Sequence, residues 1–131
     1  MTDRAPYAYA ILRVIPQIER GECVNAGVVL YCRSLRFLGV RTGLDAGRLL
    51  ALAPHADLEG VRRHLRALEL IAAGEAEGGR IATLPPHERF GWLTAPASTI
   101  VQPGPVHGGC CADPAAALDA LYERLVAPPA G

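Results

Sequence analysis

Two β-type runs near the N-terminus constrain the fold more than any other feature of the sequence. Residues 7–15 are rich in aromatic and β-branched side chains and end at Pro16, which predicts a first strand. Alternation along it predicts that Tyr7, Tyr9, Ile11, Arg13 and Ile15 share one face. Residues 23–32 are almost continuously apolar, as expected of a central strand covered on both faces.

Further elements follow in the order strand, helix, strand, helix. A turn at 33–36 leads into a predicted strand at 37–42, while Asp45 and Asp57 are positioned to cap two helices, the second ending at Gly74. Short strands are predicted at 81–84 and 97–102, a helical turn at 87–93, a loop at 103–112, and a last helix after Asp113. The pattern predicts an α+β fold, with a mostly antiparallel sheet of about four to five strands and two main helices packed against it.

Two residues within these elements carry predictions of their own. Gly27 lies inside the second apolar run, which indicates either a β-bulge or a close approach by another backbone or a ligand. Trp92, beside Phe90, is predicted to belong to the core because aromatic side chains bury large areas.

The length of 131 residues predicts one domain, with a core from about 7 to 126 and short flexible termini. Half of the residues are hydrophobic, which supplies enough apolar surface for a core. The N-terminus has no basic segment leading into an apolar stretch, and no apolar run approaches membrane-spanning length. We therefore expect a cytoplasmic protein with reduced thiols and no membrane association.

Charge composition excludes several functions. Thirteen basic residues balance thirteen acidic ones, so no overall field favours bulk binding to nucleic acid. Every basic residue is arginine, which excludes Schiff-base and Walker-type lysine chemistry. The sequence also lacks a phosphate-binding loop, a dinucleotide fingerprint and a nucleophile elbow.

Polar residues cluster before the central strand. Glu19, Arg20 and Glu22 precede Asn25 at its entrance, where two carboxylates, a guanidinium and a carboxamide can form a site. The alternative is a solvated turn in which Asn25 bonds local backbone.

A second candidate segment carries Gln102 and His107 in a stretch rich in proline and glycine. His107 also lies near Cys110 and Cys111, but adjacent cysteines chelate one tetrahedral ion poorly, and no metal or other cofactor is predicted. An incidental loop histidine is the alternative.

The motifs together resemble a known family. Residues 9–16, the Arg-Gly-Glu and Asn-x-Gly segments around residues 20–27, and the Gln-Pro-x-Pro-Val-His segment at 102–107 are similar to the bacterial family called domain of unknown function 3037. The resemblance covers about 7 to 126. It implies no established activity, but it implies a partner role, because similar proteins are neighbours of HipA-like kinases. It also favours the hypothesis that six polar residues form one cleft: Glu19, Arg20, Glu22, Asn25, Gln102 and His107.

Three functional hypotheses remain at this stage. The first is a non-enzymatic accessory module that binds a protein partner, such as a HipA-like kinase, or a small anionic ligand in this cleft. An exposed apolar patch is the sign that would favour a protein partner. The second is a small hydrolase or nucleotide-processing enzyme with Glu19 or Glu22 as base, His107 as acid or base, and Arg20 on an anion. The third is a homodimer formed through an exposed strand edge.

Overall fold

The sheet confirms the predicted α+β class. A computed structural model describes residues 4–128, so the outermost parts of the predicted flexible termini, 1–3 and 129–131, lie outside the described residues. Within that range the chain forms a five-stranded antiparallel sheet, in which β4 and β5 pair with different parts of one edge of β1 and β2 lies on the other. β3 completes the sheet beyond β2. The strands are β1 (Ala5–Val14), β2 (Val24–Cys32), β3 (Phe37–Thr42), β4 (Val101–Pro103) and β5 (His107–Cys111).

Four α-helices in the same range begin and end at the predicted signals. Asp45, Asp57 and Asp113 each accept a hydrogen bond from a backbone N–H in the first turn of the helix that follows. Gly74 ends the longest helix with a φ of 72°, a left-handed conformation that glycine adopts without strain. The helices are α1 (Ala46–Leu52), α2 (Leu58–Ala73), α3 (Pro86–Leu93) and α4 (Pro114–Leu125).

The helices cover the two faces of the sheet unequally. Leu12 and Val14 of β1 belong to a buried cluster with residues of α1, α2 and α3. On the opposite face α4 packs over β2 and β3, where Leu118 and Leu121 meet Leu30. The part of that face formed by β1, β4 and β5 keeps partly exposed side chains.

A bulge in β2 decides which face Asn25 occupies. Leu12 lies opposite Gly27 but Arg13 lies opposite Asn25, so Ala26 is the extra residue. Gly27 is also closely approached, since a Cβ there would lie 3.0 Å from the Arg41 carbonyl oxygen. Both interpretations of Gly27, a bulge and a close approach by another backbone, are therefore confirmed. The bulge places Asn25 beside Arg13 on the face of the sheet on which α4 packs, which we call the α4 face.

Three local predictions were wrong or incomplete. Residues 107–111, expected to be loop, form β5. The strand expected at 81–84 is a 3-10 turn, Ile81–Thr83, because the Thr83 hydroxyl and N–H both donate to the Arg80 carbonyl oxygen. The strand expected at 97–102 is confined to β4, because Gln102 donates to the Thr99 carbonyl and holds that segment in a bend.

Trp92 is the fourth difference. Its side chain does not join the core, and the residue is 46% exposed, whereas Leu93 beside it is buried. Phe90 packs instead, against Tyr31, with ring centroids 5.4 Å apart. A two-turn helix buries only one stripe, and Trp92 lies off it.

Candidate functional site

An apolar groove runs along one side of α2. It consists of three adjoining cavities of about 350, 220 and 250 Å³: the first lies between the start of α2, α1 with the loop after it, and Ile100, and the other two lie between α2 and the segment 95–103. Neighbouring cavities share lining residues, since Val61 lines the first two and His64 and Val101 line the last two. We call this feature the α2 groove, and its lining includes Leu12, Leu49, Val61, His64, Leu68 and Val101.

Three of the six exposed large apolar side chains in the described range lie along this groove. Leu52 and Ile100 line its first cavity and Trp92 lines its last. Ile100 is 47% exposed, which is unusual for a large aliphatic residue held by the sheet. Ile15 donates to the Ile100 carbonyl oxygen at 2.7 Å, so the backbone that presents this side chain is fixed. The groove therefore has apolar walls at both ends and in the middle.

Arg89 fixes the end of the groove that carries Trp92. Its guanidinium donates to the carbonyl oxygens of Ile71 (3.0 Å) and Ala72 (2.6 Å) at the C-terminus of α2 and to that of Leu84 (2.9 Å). The last carbonyls of a helix have no i+4 partner within it, although that of Ile71 also accepts from the Gly74 N–H, and the helix dipole favours a cation there. Arg89 thus ties α3, and with it Trp92, to α2.

Two exposed arginines lie one helical turn from residues that line the groove. Leu52 and Gly60 line the groove. Arg48 lies one helical turn before Leu52, and Arg63 lies one helical turn after Gly60. Neither guanidinium forms an ion pair with any residue between 4 and 128. Asp57 also lines the groove, but its Oδ1 accepts from the Gly60 N–H as the helix cap.

The predicted residues Glu19, Arg20 and Glu22 lie on the turn that connects β1 to β2. Arg20 Nε donates to Glu22 Oε1, and this hydrogen bond lowers the pKa of Glu22 and raises that of Arg20. The Glu22 carboxylate is thereby held ionised and is a weaker base. Glu19 is exposed and makes no side-chain hydrogen bond within residues 4–128.

Asn25 and Gln102 lie on either side of Arg13, on the two strands that pair with β1 there. Arg13 of β1 pairs with Asn25 of β2 on one side and with Gln102 of β4 on the other, so the three side chains share the α4 face. Asn25 Nδ2 donates to the Leu125 carbonyl oxygen at 3.1 Å, a tertiary bond to the end of α4. The structure therefore brings Asn25 and Gln102 together around Arg13.

His107 lies further along the same face. It pairs with Tyr9, and the two rings are 5.4 Å apart. Val14 pairs with Val24, so the row of His107 and the row nearest Glu22 are five positions apart on β1, about 17 Å along the strand. None of the five best-formed cavities in the described range is lined by both, which does not favour a shared hydrolytic site.

The cysteines and other metal-type ligands are dispersed. No group of three or more His, Cys, Asp or Glu residues within 4–128 has an arrangement that can hold a metal ion. Cys23 and Cys110 are exposed thiols, while Cys32 and Cys111 are buried. Burial, with a smaller contribution from Cys32, raises the pKa of the Cys111 thiol.

Comparison with protein-family models places the chain in a family. Residues 9–126 match the model of the family described as protein of unknown function (DUF3037). The chain belongs to the DUF3037 family. The match extends from within β1 to just past the end of α4, so it includes both the α2 groove and the residues around Arg13. The comparisons with curated proteins and with solved structures found no match.

Membership in the DUF3037 family assigns no activity, so function has to be argued from geometry. No helix in the described part of the chain is both long and apolar enough to span a membrane.

Sequence reasoning missed the α2 groove and Arg13 as site features. The signal for the groove was present in Ile100 and Trp92, large apolar residues in short segments bounded by proline or alanine. Arg13 could have been noticed because it is the one charged residue among Tyr7, Tyr9, Ile11, Arg13 and Ile15, which share one face of the first strand. These residues do not show where the helices pack on the sheet, and helix packing determines which side chains stay exposed. The two sites could therefore not be located from the sequence.

Proposed function

We propose that this protein is a non-catalytic binding module that holds an amphipathic helix of a partner protein in the α2 groove. The observation that carries this proposal is the row of three adjoining cavities with exposed Leu52, Ile100 and Trp92 along it. Contiguous apolar surface of this kind on a small domain is typical of a protein contact surface.

The dimensions of the groove favour a helix as the occupant. From Asp57 to Leu68 the groove follows α2 for eleven residues, about 17 Å, which is three turns of a helix. Three cavities in a row fit apolar anchors at positions i, i+4 and i+7. An added β-strand is a poorer fit, because β4 has only three residues and ends at Pro103.

Charge favours a helix with an acidic flank. Arg48 and Arg63 flank the groove without ion-pair partners among residues 4–128, so acidic residues beside the apolar anchors have complementary partners. The HipA-like kinase that the family resemblance implies is one proposed source of such a helix.

Selection of helical peptides tests the proposal. A display library of helical peptides is selected against the full chain, and the binders are measured with Trp92, the only tryptophan, as a fluorescent probe. We expect binders with apolar residues at i, i+4 and i+7 and an acidic flank. Ile100→Glu should weaken them at least about tenfold by placing a charge in the apolar wall.

Leu35→Glu is the matched control, because Leu35 is 42% exposed in the turn between β2 and β3, away from the groove. It should leave binding unchanged. Binders without helical spacing, or binders that Ile100→Glu does not weaken, would contradict the proposal. A HipA-like kinase tested with the same variants should lose binding with Ile100→Glu only, and a kinase that fails to bind wild type is not the partner.

A further inference from the structure

Arg13 is the only one of three half-buried arginines without a partner in the described range. Arg41 pairs with Asp119 and Glu123 of α4, and Arg89 donates to three carbonyls. Arg13 makes no hydrogen bond or ion pair with any side chain or carbonyl between residues 4 and 128. Partial burial removes water from a guanidinium, and folded proteins usually compensate with a hydrogen-bond acceptor.

The guanidinium of Arg13 lies flat against Gly104. A Cβ on Gly104 would be 2.9 Å from both Arg13 Cζ and Nη2 and 3.1 Å from Nε, and these nearly equal distances show that the plane of the group faces the glycine. The donors of a guanidinium lie in its plane, so its edge is left available. A side chain at residue 104 would displace the guanidinium from this position.

Neighbouring side chains lie beside the Arg13 guanidinium on the α4 face. Gly104 donates its N–H to the Ile11 carbonyl oxygen at 2.7 Å, so the guanidinium sits level with Ile11 rather than with its own Cα. The rings of Tyr9 and His107, which are tilted by 38° to each other, lie two residues further along β1, about 7 Å away. Ile11 forms the floor between the cation and the rings.

We propose that this site binds a small planar anion, with its phosphate or carboxylate on the edge of Arg13 and its flat body over Ile11 against the rings of Tyr9 and His107. A planar guanidinium pairs with carboxylate or phosphate through two parallel hydrogen bonds. The aromatic pair favours a flat, unsaturated body over an aliphatic one. No acidic side chain lies within 4.0 Å of Arg13 to compete for it among residues 4–128. The site lies on the opposite face of the sheet from the α2 groove and does not depend on it.

Paired probes test both halves of the site. Phenyl phosphate and methyl phosphate share the charged group, and benzoate and acetate repeat the comparison for a carboxylate. Binding is followed by NMR through the Arg13 Nε–H and Gly104 amide signals of the full chain. We expect saturable shifts at millimolar concentrations, with each aromatic probe binding at least about threefold tighter than its aliphatic counterpart.

Variants separate this site from general attraction to positive charge. Arg13→Gln should weaken the aromatic probes at least about tenfold, while Arg33→Gln, which removes an exposed arginine from the β2–β3 turn, should change nothing. Gly104→Ala should also weaken binding, although it keeps every charge, and His107→Ala should remove most of the preference for aromatic probes. If Arg13→Gln perturbs the fold, Arg13→Lys tests the same bidentate contact with the charge retained.

Two results would overturn this inference. One is the absence of saturable shifts at Arg13 and Gly104 with all four probes. The other is an equal loss of affinity in the Arg13→Gln and Arg33→Gln variants, which would reduce the effect to net charge.

Discussion

Removal of Arg89 should destabilise the protein more than removal of any exposed arginine. Its guanidinium makes three hydrogen bonds, of 2.6, 2.9 and 3.0 Å, to carbonyl oxygens of Ala72, Leu84 and Ile71. A hydrogen bond to a charged group contributes about 1.5 kcal/mol or more, which gives about 4.5 kcal/mol for three. Water can reach part of a helix end in the variant, so we expect a net loss of about 3 kcal/mol for Arg89→Ala.

Urea unfolding followed by circular dichroism measures this loss. With a slope of about 1.5–2 kcal/mol per molar urea, the midpoint should fall by about 1.5–2 M. Arg80→Ala is the control, since Arg80 is exposed in the preceding loop and its guanidinium has no partner among residues 4–128, and it should stay within about 0.5 kcal/mol of wild type.

Arg89→Lys tests the reason for the effect. Lysine keeps the charge near the end of α2, but a single ammonium group does not reproduce the planar fork that reaches three carbonyls. We expect it to recover less than half of the stability lost in Arg89→Ala. If Arg89→Lys is as stable as wild type, the helix dipole and not the hydrogen bonds stabilises this junction, and our reasoning is refuted. If Arg89→Ala lowers the free energy of unfolding no more than Arg80→Ala does, the hydrogen bonds of Arg89 contribute nothing to stability.

Two further predictions concern the core and the end of α4. Burial raises the pKa of the Cys111 thiol, so at pH 8 a smaller fraction of it is thiolate. Ellman's reagent should therefore modify exposed Cys23 and Cys110 quickly, but buried Cys32 and Cys111 only on unfolding. Four equal modification rates in the folded protein would contradict the burial of Cys32 and Cys111. Asn25→Ala should cost about 1 kcal/mol in urea unfolding, because it removes the bond to the Leu125 carbonyl, and an unchanged midpoint would show that water replaces this bond.

The sheet and the caps were predictable because they depend on local signals. Alternation along 7–15, the apolar run at 23–32 and aspartates at positions 45, 57 and 113 each specify a short stretch of backbone, and the structure confirms them. β5 was not predictable in this way, because Gly108 and Gly109 have low β-propensity. Its strand conformation comes from pairing with β1, and a Cβ at Gly109 would lie 2.5 Å from the Tyr7 ring. This glycine leaves room for that ring to lie across the edge strand.

The candidate sites were only partly predictable, for a related reason. Asn25, Gln102 and His107 were chosen from local sequence segments and the family resemblance, and they do share one face of the sheet, but the residue between them, Arg13, was not chosen. Its proposed role depends on α4 packing over β2 and β3 and on Gly104, a glycine far along the chain. Such contacts are set by tertiary packing, which a strand pattern does not encode.

The alternation of β1 explains how a small sheet offers two different surfaces. Leu12 points into the α2 groove, and the next residue, Arg13, points to the opposite face, where it lies against Gly104. Both faces of β1 carry groups that our proposals use, since Leu12 lines the α2 groove and Arg13 belongs to the proposed anion site. The bulge at Ala26 matters for the same reason, because it turns Asn25 toward Arg13 without moving Val28 and Leu30 out of the core. A one-residue slip of register there would exchange the two faces of β2, replacing the polar neighbour of Arg13 with an apolar one and burying an amide in the core.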